Sequence, residues 1–134
     1  MSFKLEIVTP DGLLFDGDAE KVIVRTTEGD VGILERHSDY VAPLSIGLAR
    51  IFTDKEEKRA ACSGGMISVS GGVVRIVAST FEWAEDIDVE RALKAKEKAE
   101  ARLGKAKRDE YEYKLAEVKL KRSLARLNAS GKKD

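Results

Sequence analysis

Asp86-Ile87-Asp88-Val89-Glu90-Arg91-Ala92 is the stretch on which the reading of this chain turns. Upstream the residues alternate as strands do; downstream they favour helix. Asp86 or Asp88 can accept hydrogen bonds from the orphan N–H groups of a helix start, and the helix dipole favours Glu90 in the first turn. From Val89 to Leu103 the sequence is dominated by Ala, Lys, Glu and Arg, all strong helix formers. Gly104 then suits a C-cap, because glycine tolerates φ > 0. A second helix is predicted from about Asp109 to Leu127, ended by Asn128-Ala129-Ser130-Gly131. The short connection makes an antiparallel hairpin the default.

Upstream, Lys4–Val8 alternates polar and apolar, and Thr9-Pro10-Asp11-Gly12 supplies turn chemistry. Val22–Thr26 is almost wholly β-branched, and Glu28-Gly29-Asp30 turns it into Val31–Leu34. Further strand-like runs are Leu48–Phe52, Arg59–Cys62, Met66–Val69 and Val73–Ala78. Gly64-Gly65 and Gly71-Gly72 between them read as turns. Short strands at this spacing argue an antiparallel sandwich or barrel. The organisation is therefore α+β: residues 1–84 in strands, residues 85–134 in a helical hairpin.

Charge divides the chain at the same place. Residues 1–84 hold 9 Lys/Arg against 13 Asp/Glu, and residues 85–134 hold 15 against 11, so a net charge of zero conceals two parts of opposite sign. The segment Val118–Asp134 is basic, with Asp134 as its one acid. Such an end can seek phosphates, an acidic protein surface or an anionic membrane. Charged residues reach 36% and aromatics only 6%, too lean a mixture for one dense core to take in the whole chain. No apolar run is long enough to span a membrane, and Met1–Glu6 lacks a signal-peptide pattern. Cys62 stands alone, so it forms no internal disulfide; a buried inert thiol in a reducing, cytosolic setting is expected.

The helices carry thin apolar stripes. Ala92, Ala95, Ala99 and Leu103 mark one on the first helix. On the second, Tyr113, Ala116, Leu120, Leu124 and Leu127 mark one face, and Tyr111, Leu115, Val118 and Ala125 an adjacent one. Burying alanine removes little area from water, at roughly 25 cal/mol per Å². The hairpin is accordingly expected to be held weakly, whether it stays packed on the sheet or moves between two surfaces.

Glu28-Gly29-Asp30-Val31-Gly32-Ile33-Leu34 followed by His37 resembles the "EGxxGILPGH" turn of F-type ATP synthase epsilon subunits. Ser63-Gly64-Gly65, the strand Val73–Ala78 and the change to an Ala/Lys/Glu/Arg hairpin fall where that family has them. The resemblance covers essentially the whole chain; Glu35-Arg36 stands where the family has Pro-Gly. It implies a β-sandwich at the foot of a central stalk, against the gamma subunit and the membrane rotor ring. It also implies that Glu28, Asp30 and His37 lie at the ring and gamma contacts, although Glu28-Gly29-Asp30 is equally good as a plain hairpin turn. A lone histidine without a second ligand at metal spacing is no metal site.

Ile87-Asp88-Val89-Glu90-Arg91-Ala92 resembles the "I(L)DxxRA" motif of epsilon subunits that bind ATP. Asp88 and Arg91, three apart, are neighbours on a helix face. With a bend near Ala106, Arg91 and Arg122 come level, and Arg126 falls one turn on, opposite Ile87-Asp88. Clustered guanidiniums beside a helix N-terminus suit phosphate oxygens. Ile87 and Ala92 offer apolar contact to a base, and the family pattern adds Glu82. Lys98 stands where the strongest ATP binders have another arginine, keeping the charge without the bidentate fork. The same cluster is also compatible with a solvated basic face, or with a surface that meets an acidic partner.

The resemblance thus implies a non-catalytic regulator that takes ATP as a ligand rather than a substrate, with gamma, the rotor ring and the catalytic β and α subunits as partners. Attachment to the cytoplasmic face of the bacterial plasma membrane would come only through that complex. With the arm folded, the arginines share ATP; without it they repel, and the arm extends and blocks hydrolysis. Two other readings are a stand-alone ATP sensor and a structural coupling subunit that binds no nucleotide. No Ser/His/Asp set and no Walker A loop is present, which disfavours an enzyme. Tyr111 and Tyr113 fit helix stripes better than base-stacking platforms, which disfavours a nucleic-acid binder.

Overall fold

The computed structural model describes residues 1–105 and 111–131. Eight strands come first: β1 (Phe3–Thr9), β2 (Gly12–Ala19), β3 (Lys21–Thr26), β4 (Gly29–Leu34), β5 (Tyr40–Pro43), β6 (Gly47–Phe52), β7 (Glu57–Ser70) and β8 (Val73–Trp83). A 3₁₀ turn, Ala84–Asp86, leads into α1 (Val89–Lys105) and α2 (Tyr111–Ala129). This is the expected sandwich followed by a two-helix arm. The expected bend at Ala106, the helix start at Asp109 and the terminal Asp134 lie outside the described residues.

The strands form one hydrogen-bonded path, β2-β1-β8-β7-β6-β3-β4, with β5 pairing β7. All pairings are antiparallel except β1 with β8, which run parallel with Lys4 opposite Val73 and Val8 opposite Val77. That parallel pair amends the expectation of a wholly antiparallel sheet. Two strands, β2 and β5, were not legible as strands, and β7 is one element where two separated by a turn were expected. Gly64 (φ 70°) and Gly65 (φ 103°) lie inside β7, not at a hairpin. They sit where β7 passes from its pairing with β6 to its pairing with β5.

Alternation builds the core. Phe3, Leu5 and Ile7 from β1, Val22 and Val24 from β3, and Val74, Ile76 and Ala78 from β8 all point inward. In β7 the alternation fails: Ala60, Ala61, Cys62 and Ser63 are all buried. The reason is a second cover. Ala60 and Cys62 belong to the sandwich core, whereas Ala61 packs with Ile87, Ala125 and Ala129 beneath the arm. Small residues on both faces let α2 approach the sheet closely. Burial raises the Cys62 thiol from 9.0 to about 12. Because the folded thiol holds its proton more tightly than the unfolded one, the protein is expected to lose stability as pH climbs from about 9 to about 12 and to show no Cys62 effect below 9. A Cys62→Ala variant should flatten that alkaline limb of a denaturation-versus-pH profile.

Both helices are thinly seated. Ala92 and Ala99 are the buried residues of α1; Ala116, Ser123, Ala125, Leu127 and Ala129 are those of α2. Neither apolar face expected on α2 is fully covered: Leu124 of the first is 40% exposed and Tyr111 of the second 77% exposed. Gly104 is not a C-cap, because α1 continues through it to Lys105. Asp88 does cap α1: its Oδ1 accepts the Arg91 N–H at 3.1 Å. An Ala125→Glu substitution places an unpaired carboxylate in the alanine seam, at a cost of roughly several kcal/mol. The expected result is an arm detached and open to protease, while the melting transition of the sandwich persists.

Candidate functional site

The docked arm encloses two cavities that share one wall. The wall is α2, where Lys119, Arg122 and Arg126 fall at i, i+3 and i+7 and therefore on one face. The first cavity, about 290 Å³, lies between α2 and the sandwich. Thr9, Ser63, Thr80 and Glu82 from the sheet line it together with Arg122 and Arg126. The second, about 280 Å³, lies between the helices and is lined by Lys98 and Arg102 of α1 and by Lys119, Arg122 and Arg126 of α2. Its floor is Ala95, Ala99 and Ser123, small side chains that leave the space open.

Glu82 ties the arm to the sandwich. Its Oε1 accepts the Arg126 Nε–H at 2.9 Å, with the two side chains 38% and 39% exposed. At that exposure the pair contributes about 1 kcal/mol or less. It is a latch, readily exchanged for another anion. Among the described residues, Lys98, Arg102, Lys119 and Arg122 have no ion-pair partner, and no carboxylate lines the inter-helix cavity. A space walled by cations and lacking acids fits a polyanion such as a triphosphate.

Of the residues singled out by sequence, Glu82, Lys98, Arg122 and Arg126 are brought to these two cavities. Arg91 is exposed in the first turn of α1 and lines neither. Asp88 is engaged as the cap, and Ile87 is buried against Ala125 and Ala129. Ala92 is buried in the α1 stripe. Arg102 and Lys119, which the sequence reading did not select, join the cluster. Their signal was present: Lys98 and Arg102 are i, i+4, and Lys119 and Arg122 are i, i+3.

The other group lies on the sandwich. Glu28-Gly29-Asp30 forms the β3–β4 hairpin; the Thr26 hydroxyl donates to Gly29 O at 2.7 Å and accepts the Glu28 N–H at 3.2 Å. Asp30 pairs with Arg25 at 3.3 Å. His37 stands edge-on to Tyr40, with its Nδ1 2.7 Å from Ser38 O. Beside it Arg36 has φ 64°, a left-handed conformation that residues with a Cβ rarely adopt. Glu28 and Asp30 lie at the start of β4 and His37 beyond its other end; Asp30 also borders the groove that Lys121, Leu124 and Asn128 of α2 line.

Residues 2–84 match the beta-sandwich domain of the ATP synthase Delta/Epsilon chain, and residues 85–131 match its long alpha-helix domain. The chain is 44% identical over 128 residues to the ATP synthase epsilon chain of Halalkalibacterium halodurans, covering 96% of each. It is 47% identical over 128 residues to that of Bacillus velezensis, again covering 96% of each. Among solved structures, a chain of the Euglena gracilis mitochondrial ATP synthase, in a complex described as OSCP/F1/c-ring in rotational state 1, superposes with a TM-score of 0.83. That match has 27% identity and covers 96% of this chain and 81% of the other. Sandwich, arm and sequence agree along the whole length: the chain belongs to the ATP synthase delta/epsilon family, among the epsilon chains.

Proposed function

We propose that this chain is a non-catalytic central-stalk subunit of an F-type ATP synthase whose C-terminal arm senses ATP and restrains hydrolysis. The observation that carries the sensing part is the cation-walled cavity between α1 and α2, which adjoins the Arg126–Glu82 latch. Arg122 and Arg126 border both cavities, so a ligand held by them touches helix–helix and helix–sandwich contacts together. Lys98 adds a point charge from α1. Glu82 and Asp88 supply acceptors for an exocyclic amine, and Ile87 and Ala92 supply apolar contact near the helix start. Arg91 enters the set by a rotamer change from its exposed position.

The arm's seam explains why a ligand can decide its position. Alanines contribute little burial energy, so the docked and released states differ by an amount that one ligand's differential affinity can outweigh. The released arm presents its basic face to an acidic surface on the catalytic β and α subunits. Glu28, Asp30 and His37 meet the rotor ring and gamma subunit. The family membership and the Euglena complex, with its F1 and c-ring, support this placement. In this reading the chain lies at the cytoplasmic face of a bacterial plasma membrane, peripheral through the complex; no helix among the described residues is long and apolar enough to cross one.

Titration calorimetry of the isolated chain with ATP tests the sensing role. Saturable one-to-one binding that makes the chain more compact is the expected result. A flat titration at millimolar ATP leaves the structural coupling role alone.

A further inference from the structure

Building on the reading of the arm as an ATP site, we propose that Lys119 is the residue that counts phosphates, anchoring the far end of a condensed-phosphate chain in the inter-helix groove. Lys119 and Arg126 are seven residues apart on one face of α2, which at 1.5 Å per residue is about 10 Å of cationic wall. Lys98 and Arg102 face them from α1 around the same 280 Å³. A single phosphate reaches only part of this wall; a chain of three spans more of it.

Charge then gives the groove a direction. At the Arg126 end, Glu82 accepts a guanidinium hydrogen bond at 2.9 Å and cancels part of the field. Among the described residues, no carboxylate lines the groove at the Lys119 and Arg102 end, and neither cation has an ion-pair partner there. The terminal phosphate of a condensed chain carries more charge than an internal one and seeks the less neutralised end. The floor does not compete for this task. Ser123 is 1% exposed and its hydroxyl donates to Lys119 O at 3.0 Å, so its one O–H is already committed. Selection for the third phosphate therefore falls to side-chain cations, and Lys119 is the outermost of them on α2. Its ammonium, on a flexible stem, offers three rotatable donors.

The groove also recognises the phosphate chain independently of a base. Inorganic triphosphate is thus a ligand in its own right. Calorimetric titrations of the full chain with ATP, ADP and inorganic triphosphate, on the native protein, Lys119→Gln and Lys121→Gln, test this. Lys121 lines a different groove, between α2 and strands β3 and β6, and controls for loss of net charge. Lys119→Gln is expected to weaken ATP and inorganic triphosphate about tenfold, with less than about a twofold change for ADP. Lys121→Gln should leave all three nearly unchanged. Equal effects of the two substitutions, or equal weakening of ATP and ADP by Lys119→Gln, overturn the assignment to Lys119 while leaving the ATP site standing. Binding of inorganic triphosphate with this Lys119 dependence but without ATP binding keeps the assignment and removes the ATP reading. A protein that binds none of the three overturns both.

Discussion

Gly65→Ala is expected to destabilise the sandwich by about 3 kcal/mol or more, and Gly65→Val to prevent its folding. Two independent terms act at this position. The backbone has φ 103°, which residues with a Cβ rarely adopt. A Cβ built there would also stand 1.9 Å from Val77 O and 2.8 Å from the Ala78 Cα, both backbone atoms of the paired strand. A flexible side chain could yield; a strand held by ladder hydrogen bonds on both edges cannot. Gly64 next to it is the control: its φ is 70°, but an added Cβ would meet Ser79 Oγ at 3.0 Å, the tip of a movable side chain. Gly64→Ala should cost about 1 kcal/mol. Urea denaturation of the two variants compares them directly, and equal midpoints would show that the clash with Val77 is absent.

Arg122→Gln should weaken ATP binding by about ten- to a hundredfold, a loss of charge-assisted contacts worth roughly 1.5–3 kcal/mol. Arg122 is the cleanest residue for this test. It borders both cavities and has no ion-pair partner among the described residues, so its removal strands no carboxylate. Arg126 is different: its loss leaves Glu82 unpaired beside the site, adding repulsion to the missing attraction. Removing Arg91 and Arg126 together is therefore expected to abolish ATP-dependent compaction altogether. Small-angle scattering with and without ATP reads the compaction. Unchanged ATP titrations in Arg122→Gln and in the double variant would falsify the placement of the site.

Local sequence decides the structure where a single rule acts without tertiary competition. Asp88 was identified as a possible cap from its position before a helix-forming run, and it caps. The Glu28-Gly29-Asp30 turn formed because glycine at 29 admits φ 117° between β-branched strands. Failures came where tertiary structure overrode a local rule. Gly64-Gly65 has the composition of a turn, yet β5, β6 and β8 pair along both edges of β7 and hold it extended. Gly104 has the composition of a helix stop, yet α1 runs through it. In β2, Asp16, Gly17 and Asp18 dilute the alternation; the strand exists because β1 supplies it with a ladder. The cation cluster was half legible. Spacing put Arg122 and Arg126 on one face, but which α1 residues faced them depended on how the helices roll against each other. Sequence pointed to Arg91 and Lys98; packing brought Lys98 to the cavity, added Arg102 and left Arg91 outside.

The parallel pairing of β1 with β8 sets an order of events during synthesis. Lys4 finds its partner in Val73, so β1 has one edge unfilled until β8 has been translated. Contacts this distant along the chain close slowly, and the core cannot be sealed before β8 arrives. The arm is made after the sheet and meets strands already able to stand. Damage to the arm should therefore leave a folded sandwich, whereas damage near residue 65 or 77 leaves no folded sandwich at all.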